Sequence, residues 1–298
     1  MDAPVRAVPD FSGCLNAGTV VGLIHAGLRV EEKRKDIMRT LLGTILILSL
    51  ATGLSFAQGL PSSKATAQVS TLVKCTMTKI TTNDGDAILP ASCVNLFNGS
   101  PVNTEGEWIE IMSKPVKLSN SQSLFVSPSL VTGLYTQTRT KTTTGSTSTA
   151  EAMGGVYLRA VLTPAAGGPD IVAAPLNLCT LTTLGCWESP TSGGWGVRLD
   201  TRIQTLTQSL SECTVLVGDL TGTCSFTSII DLILKTTSAH TFNMIFPNVG
   251  QGTYTLKIKA AVASGASVIG SGSAVGAAAF GLGSVTAESV RLVHGFEF

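Results

Sequence analysis

Three carboxylates crowd one short stretch, "EGEWIEI", at Glu105, Glu107 and Glu110. On a strand, Glu105 and Glu107 would share a face about 7 Å apart. Paired carboxylates hydrolyse glycosidic bonds at separations of roughly 5–10 Å. The same spacing also describes a solvated strand face, so a hydrolase using Glu105, Glu107 or Glu110 ranks third among the functional readings. Beyond the leader, histidine occurs only as His240 and His294. A serine nucleophile needs a placed base, and no G-x-S-x-G elbow accompanies either histidine. His240 reads as a strand-end residue bonded to a turn, and His294 as solvent-facing near the terminus. H-E-x-x-H is absent, which excludes a zincin-type site by motif.

"NDGD" could offer Asp84 and Asp86 to calcium, but it lacks the glutamate that completes an EF-hand loop. It reads as a turn. "GSGSAVG", Gly270–Gly276, has glycines without the Lys-Ser/Thr of a phosphate loop. "NGS" at Asn98 is a glycosylation acceptor in a eukaryotic secretory pathway and a turn otherwise. No cofactor or metal is expected. Of the three tryptophans, two flank the loop "CWESPTSGGWG". Trp187 and Trp195 could form the rim of a carbohydrate-binding module, since tryptophan offers large contact area at low entropic cost. They could equally cap a core.

Cysteine points to a compartment. Apart from Cys14, the chain has Cys75, Cys93, Cys179, Cys186, Cys213 and Cys224. Six cysteines allow 15 pairings. Neighbour pairing (Cys75–Cys93, Cys179–Cys186, Cys213–Cys224) is expected, because each pair brackets a short turn-like stretch. Disulfides of this kind form in oxidising compartments. No C-x-x-C occurs, which argues against zinc.

An export signal agrees with this. "KRKDIMRTLLGTILILSLATGLSFAQGLP", Lys33–Pro61, has a basic head, an uncharged run from Leu41 to Ala57, and Ser55 and Ala57 at a cleavage site. It starts far into the chain. Residues 1–37 are expected to be a spurious extension before Met38, residues 38–57 a signal peptide cut after Ala57, and residues 58–298 the mature domain. The alternative is a signal anchor, in which Leu41–Ala57 stays in the membrane with the basic cluster inside. The protein is then secreted, periplasmic or on the cell surface, or else a single-pass membrane protein. From Gln58 onward there are 14 Lys/Arg and 14 Asp/Glu, for a net charge of zero. No basic patch is available for a phosphate backbone, so nucleic acid is not an expected partner. A cell-surface protein or a glycan is.

The elements that must carry these groups are strands. In "TYTLKIKAAV", Tyr254, Leu256 and Ile258 alternate with Thr255, Lys257 and Lys259. "HTFNMIF" precedes it across "PNVGQG", which predicts a β-hairpin. A second hairpin is predicted over Gly133–Leu162, turning at "TTGSTST" and returning Val156, Leu158, Ala160 and Leu162 on one face. "WGVRLDTRIQTL" places Val197, Leu199 and Ile203 together. "TSIIDLILKT" reads as a central strand. Val262–Val285 reads as two small-residue strand pieces joined by a flexible Gly/Ser loop, and Gln58–Val69 as a tether. Short strands separated by Gly, Pro, Asn and Ser predict an all-β fold, an antiparallel β-sandwich with the jelly roll as one form. "SAHTFNMIFPNVGQGTYTLKIKA" followed by "SVTAESVRLVHG" resembles the C-terminal portion of uncharacterised secreted bacterial proteins of β-sandwich form, over about a quarter of the chain. The resemblance brings no catalytic motif and implies an exported all-β protein. The function expected first is a non-enzymatic structural or adhesive role, with carbohydrate binding second.

Overall fold

The computed structural model describes residues 65–82, 90, 92–97, 105–218 and 220–290. By internal contacts the chain divides into Met1–Gly59 and Leu60–Phe298, and the described residues all lie in the second unit. Residues 1–37, the signal segment with Ala57, Asp84, Asp86, Asn98 and His294 fall outside them.

Threonine, valine and alternating apolar residues produce strands nearly throughout. In chain order these are β1 (Ala65–Ser70), β2 (Lys74–Thr82), β3 (Ile109–Leu118), β4 (Gln122–Thr143), β5 (Thr147–Pro164), β6 (Ile171–Val172), β7 (Cys186–Glu188) and β8 (Trp195–Ser209). There follow β9 (Cys213–Val217), β10 (Leu220–Cys224), β11 (Thr227–Thr241), β12 (Met244–Val249), β13 (Gly252–Ile269) and β14 (Ser271–Val290). A short helix, α1 (Cys93–Phe97), lies between β2 and β3.

All pairings between these strands are antiparallel. One sheet runs β2–β14–β4–β11, with β1 continuing the β2 edge along β14 and β12 continuing the β11 edge along β4. The other runs β3–β13–β5–β8–β7, with β6 on β5. Numbering β2, β3, β4, β5, β8, β11, β13 and β14 as one to eight, the sheets read 1-8-3-6 and 2-7-4-5. This is the strand order of a jelly roll, a double-sheet sandwich of two Greek keys.

That topology corrects both expected hairpins. β4 belongs to the first sheet and β5 to the second, so the turn at Thr143–Thr147 is an arch between sheets. β12 and β13 are divided in the same way across Val249–Gly252. The turns form where the sequence places them, as the Ser146 N to Thr143 O bond of 3.0 Å shows. Local turn chemistry reverses the chain without choosing its partner strand.

The core lies between the inner faces. Leu124, Leu134, Leu158, Leu162, Leu256 and Phe280 are among its largest fully buried side chains. Val262–Val285 forms the two small-residue strand pieces expected of it, the second half of β13 and much of the central strand β14, but the Gly/Ser loop between them shrinks to a one-residue turn at Gly270. Its small residues have a steric reason. A Cβ on Gly276 would overlap Met153 O and Gly265 O, and one on Gly154 would lie 2.5 Å from Ala277 O. The two sheets touch here backbone to backbone, and only small residues permit it.

Three further expectations change. Residues 65–69 of the supposed tether form β1. "TSIIDLILKT" lies in β11, which is an edge strand. Ile203 is 62% exposed, because a bulge opposite Val156 and Tyr157 shifts the phase of β8. Beyond it Gln204 and Gln208 point inward instead.

Those glutamines meet a threonine row on β4. Thr132, Thr136, Thr138, Thr140 and Thr142 are buried. Thr132 Oγ1 donates to Asp200 Oδ2 at 2.6 Å, Thr136 Oγ1 to Gln204 Oε1 at 2.7 Å, and Thr140 Oγ1 to Gln208 Oε1 at 3.0 Å. Gln204 Nε2 donates to Thr138 Oγ1 at 2.6 Å and to Leu232 O at 2.8 Å. Part of the interior, between β4 and β8, is thus a hydrogen-bonded polar ladder, satisfied pair by pair.

Three disulfides join neighbours along the chain: Cys75–Cys93, Cys179–Cys186 and Cys213–Cys224. They tie α1 to β2, anchor the loop before β7, and close the β9–β10 hairpin, where Cys213 and Cys224 pair in register.

Candidate functional site

The aromatic residues gather on the outer face of the second sheet. β5 directs Val156, Leu158 and Ala160 inward, so Tyr157 and Arg159 must face outward. β7 pairs with β8, Trp187 opposite Gly196 and Glu188 opposite Trp195. The Trp187 ring stacks on Tyr157 with centroids 3.8 Å apart and an 11° tilt. Trp108 meets Trp187 edge-on at 5.5 Å. The Arg159 guanidinium lies 5.4 Å from the Trp108 ring centre, a cation–π contact. Gly196 makes room for this arrangement, since a Cβ there would overlap the Trp108 ring. Trp108 Nε1 donates to Gly193 O at 2.9 Å and to Gly194 O at 3.2 Å, fixing the loop that separates β7 from β8. Ser189 Oγ donates to Gly106 O and accepts from Ser192 N at 2.9 Å.

Beside this cluster opens a cleft of about 520 Å³. Trp187 and Trp195 both line it, with Leu181, Glu188, Pro190 and Arg198. The structure therefore brings the two sequence-flagged tryptophans to one place. They differ in role: one face of Trp187 is covered by Tyr157, while Trp195 is half-buried at the cleft. The Cys179–Cys186 bridge pins the adjoining loop. Arg198 Nε donates to Cys186 O at 3.2 Å. Burial pushes the Tyr157 phenol above its usual range; Arg198 opposes the shift and Glu105 adds to it. Burial lowers the Arg159 guanidinium, against the field of Asp170. An indole, a guanidinium and a carboxylate thus surround one open cleft.

Tyr157, Trp108 and Arg159 were not singled out from sequence as a group. Their signal was the alternation of β5, whose apolar inner face implies an outer face at 157 and 159.

The carboxylates are not brought together on one strand face. Glu105 makes an isolated bridge to Val262, the chain turns at Gly106 with φ of +67°, and β3 begins only at Ile109. The Glu105 carboxylate accepts from Thr76 Oγ1 at 2.6 Å, Ser264 N at 3.0 Å and Ser264 Oγ at 3.1 Å. It works as a clasp between β2 and β13. Glu107 is exposed, and Glu110 lies 3.9 Å from Lys257 Nζ.

His240 is the strand-end residue expected, but its partners are strand residues and not a turn. It is the penultimate residue of β11, its Nε2 2.7 Å from Ser238 Oγ and 3.4 Å from Asp200 Oδ2. Ser238 and His240 share a face because they stand two apart on a strand. Asp200 is contributed by β8 and could not be foreseen locally. In a proton relay the carboxylate and the hydroxyl take different ring nitrogens. Here both address Nε2, and Thr132 also holds Asp200. Among the described residues, no group of three or more His, Cys, Asp or Glu could hold a metal ion.

The strand order and the disulfides define the class: an all-β, disulfide-bearing jelly-roll sandwich. No protein-family model matches the chain, and no curated protein matches it. Among solved structures, a chain of infectious bursal disease virus, Gx strain, aligns over 78% of this chain and 39% of its own, at 12% identity and a TM-score of 0.21. A Gt-strain chain of the same virus aligns over 78% and 43%, at 11% identity and a TM-score of 0.11. The chain thus spans about two fifths of the length of those it matches. The jelly-roll assignment rests on strand order alone.

Proposed function

We propose that this protein is an exported β-sandwich with a non-enzymatic structural or adhesive role at or beyond the cell surface. The observation that carries this reading is where the disulfides sit. Each secures an attachment on the sandwich (α1, the loop before β7, the β9–β10 hairpin); Cys75–Cys93 does so from a small buried cluster of its own, and the large apolar cluster between the sheets contains no disulfide. Such bridges belong to an oxidising compartment and protect peripheral segments from local opening. The resemblance to secreted bacterial β-sandwich proteins agrees with export. In this reading Glu105 is a structural clasp, its oxygens engaged by Thr76 and Ser264. The test is fractionation of the producing cells with the native chain and with residues 38–57 deleted. The native chain belongs in the envelope or medium, and fluorescent protein should bind intact cells. Retention of the native chain in the cytosol, or turnover of glycoside or ester substrates that Glu110→Ala abolishes, defeats the proposal.

A second reading has its own support. Trp187 and Trp195 line one cleft beside Glu188 and Arg198, which favours a carbohydrate ligand. A glycan array should then give hits that Trp195→Ala removes. An array blank for the native protein dismisses this reading.

A further inference from the structure

We propose that β11 is a dimer interface, along which two copies of the chain pair their β11 strands antiparallel about a twofold axis at Ile233. β11 pairs with β4 from Thr227↔Thr143 to Thr241↔Ser129 and has no strand on its other side among the described residues. It is 15 residues long, without glycine or proline. Exposed edges are normally blunted by charge, proline, bulges or brevity. This one has no proline and no bulge against β4, and around Asp231 and Lys235 it presents Ile229, Ile230, Leu232, Ile233 and Leu234, each 41–54% exposed. One added strand would extend the ladder and flank the side chains of that run on both faces.

Charge selects the occupant and the register. A second copy paired antiparallel about Ile233 sets Asp231 of each copy opposite Lys235 of the other, since 231 + 235 is twice 233. Both residues are exposed and on the same face of the strand. Gln137 Nε2 already orients the Asp231 carboxylate, lying 3.1 Å from both of its oxygens. In the same register Leu232 meets Leu234 and Ile233 meets its own copy. Moving the axis by one residue places Asp231 opposite Ile233 or Thr237, and both ion pairs are lost. The contact is self-complementary and uses up the edge, so it closes at two copies.

The experiment is sedimentation of the native chain over a range of micromolar concentrations, with charge variants and cysteine variants. A dimer is expected. Asp231→Lys and Lys235→Asp should each weaken it roughly 10- to 100-fold, because two attractive cross-strand pairs become two repulsive ones. Mixing the two variants in equal amounts should restore a heterodimer of native affinity. Ile233→Cys should cross-link to its own copy under oxidation. Leu232→Cys should not, since its copies stand two residues out of register, beyond disulfide reach. A native chain that stays monomeric, a mixture that stays monomeric, assemblies larger than two, or equal cross-linking of both cysteine variants overturns the proposal. If a charge variant fails to fold, as judged by circular dichroism, the cysteine pair decides alone.

Discussion

Placing a single methyl group at Gly154 tests the closest approach between the two sheets. A Cβ there would stand 2.5 Å from Ala277 O, 3.1 Å from Ala277 C and 3.6 Å from Leu134 Cδ2. An ordinary contact begins at about 3.4 Å, so the shortfall is roughly 0.9 Å or more. The obstructing atoms are backbone of β14, a central strand of the opposite sheet, and cannot swing away. Gly154→Ala therefore requires the sheets to part locally, and overpacking of this kind costs about 1–3 kcal/mol. Without the clash, alanine in a strand would be favoured by about 0.5–1 kcal/mol. We expect a net loss of about 1–2 kcal/mol. In a unit of this size that lowers Tm by roughly 2–8 °C, read by calorimetry or circular dichroism. Gly276→Ala, which overlaps two backbone oxygens, should lose more. Gly281→Ala is the control on β14, where the neighbour is the Val73 side chain at 3.2 Å, and should stay near the native Tm. A Gly154→Ala protein that melts at or above the native temperature refutes the account of backbone contact between the sheets.

Other outcomes follow from the same structure. Gln204→Leu strands the Thr136 and Thr138 hydroxyls and Leu232 O in the interior, and should destabilise the fold by about 2–4 kcal/mol in urea titration. Tyr157 and Tyr135 both have phenols raised above the ordinary value of 10.0, mainly by burial. Their contribution to stability is full below about pH 10 and drains away as pH climbs through the folded-state values. Trp187→Ala uncovers the Tyr157 ring and should bring its titration, followed by ultraviolet absorbance, back toward the ordinary range. Replacing Cys213 and Cys224 with serine releases about 3 kcal/mol of loop-closure entropy to the hairpin. Because β9 and β10 pair only with each other, hydrogen exchange should quicken in that hairpin and little elsewhere.

Sequence resolved the faces of strands better than their neighbours. Tyr254, Leu256 and Ile258 alternate in the chain and are buried in β13, because period-2 patterning is a local property. Which strand lies alongside is not local. A jelly roll sends the chain across the sandwich at the very turns that look like hairpins, so Thr143–Thr147 and Val249–Gly252 were read as turns with the wrong partners. Ile203 was misplaced by one bulged residue, which no periodicity reveals. In Val262–Val285 the two strand pieces were legible but the short turn between them was not: its glycines answer to backbone from the other sheet, and that pressure is invisible along the chain. At the cleft, Trp187 and Trp195 were legible by residue type. Tyr157, Trp108 and Arg159 needed the register of β5, β7 and β8 before they could be grouped. Asp200 reaches His240 and Thr132 from the opposite sheet.

The threonine–glutamine ladder bears on how the sandwich responds to load. Thr132, Thr136 and Thr140 engage Asp200, Gln204 and Gln208 at one constant separation of 68 positions. Apolar surfaces slide over one another with little loss, since their attraction is not directional. These rungs do not, because a slip along the strand breaks all of them together and leaves buried oxygens and amides unpaired. The two sheets are keyed against shear. Pulling on the chain ends in a single-molecule experiment should then meet a force peak that Thr136→Val with Gln204→Leu lowers.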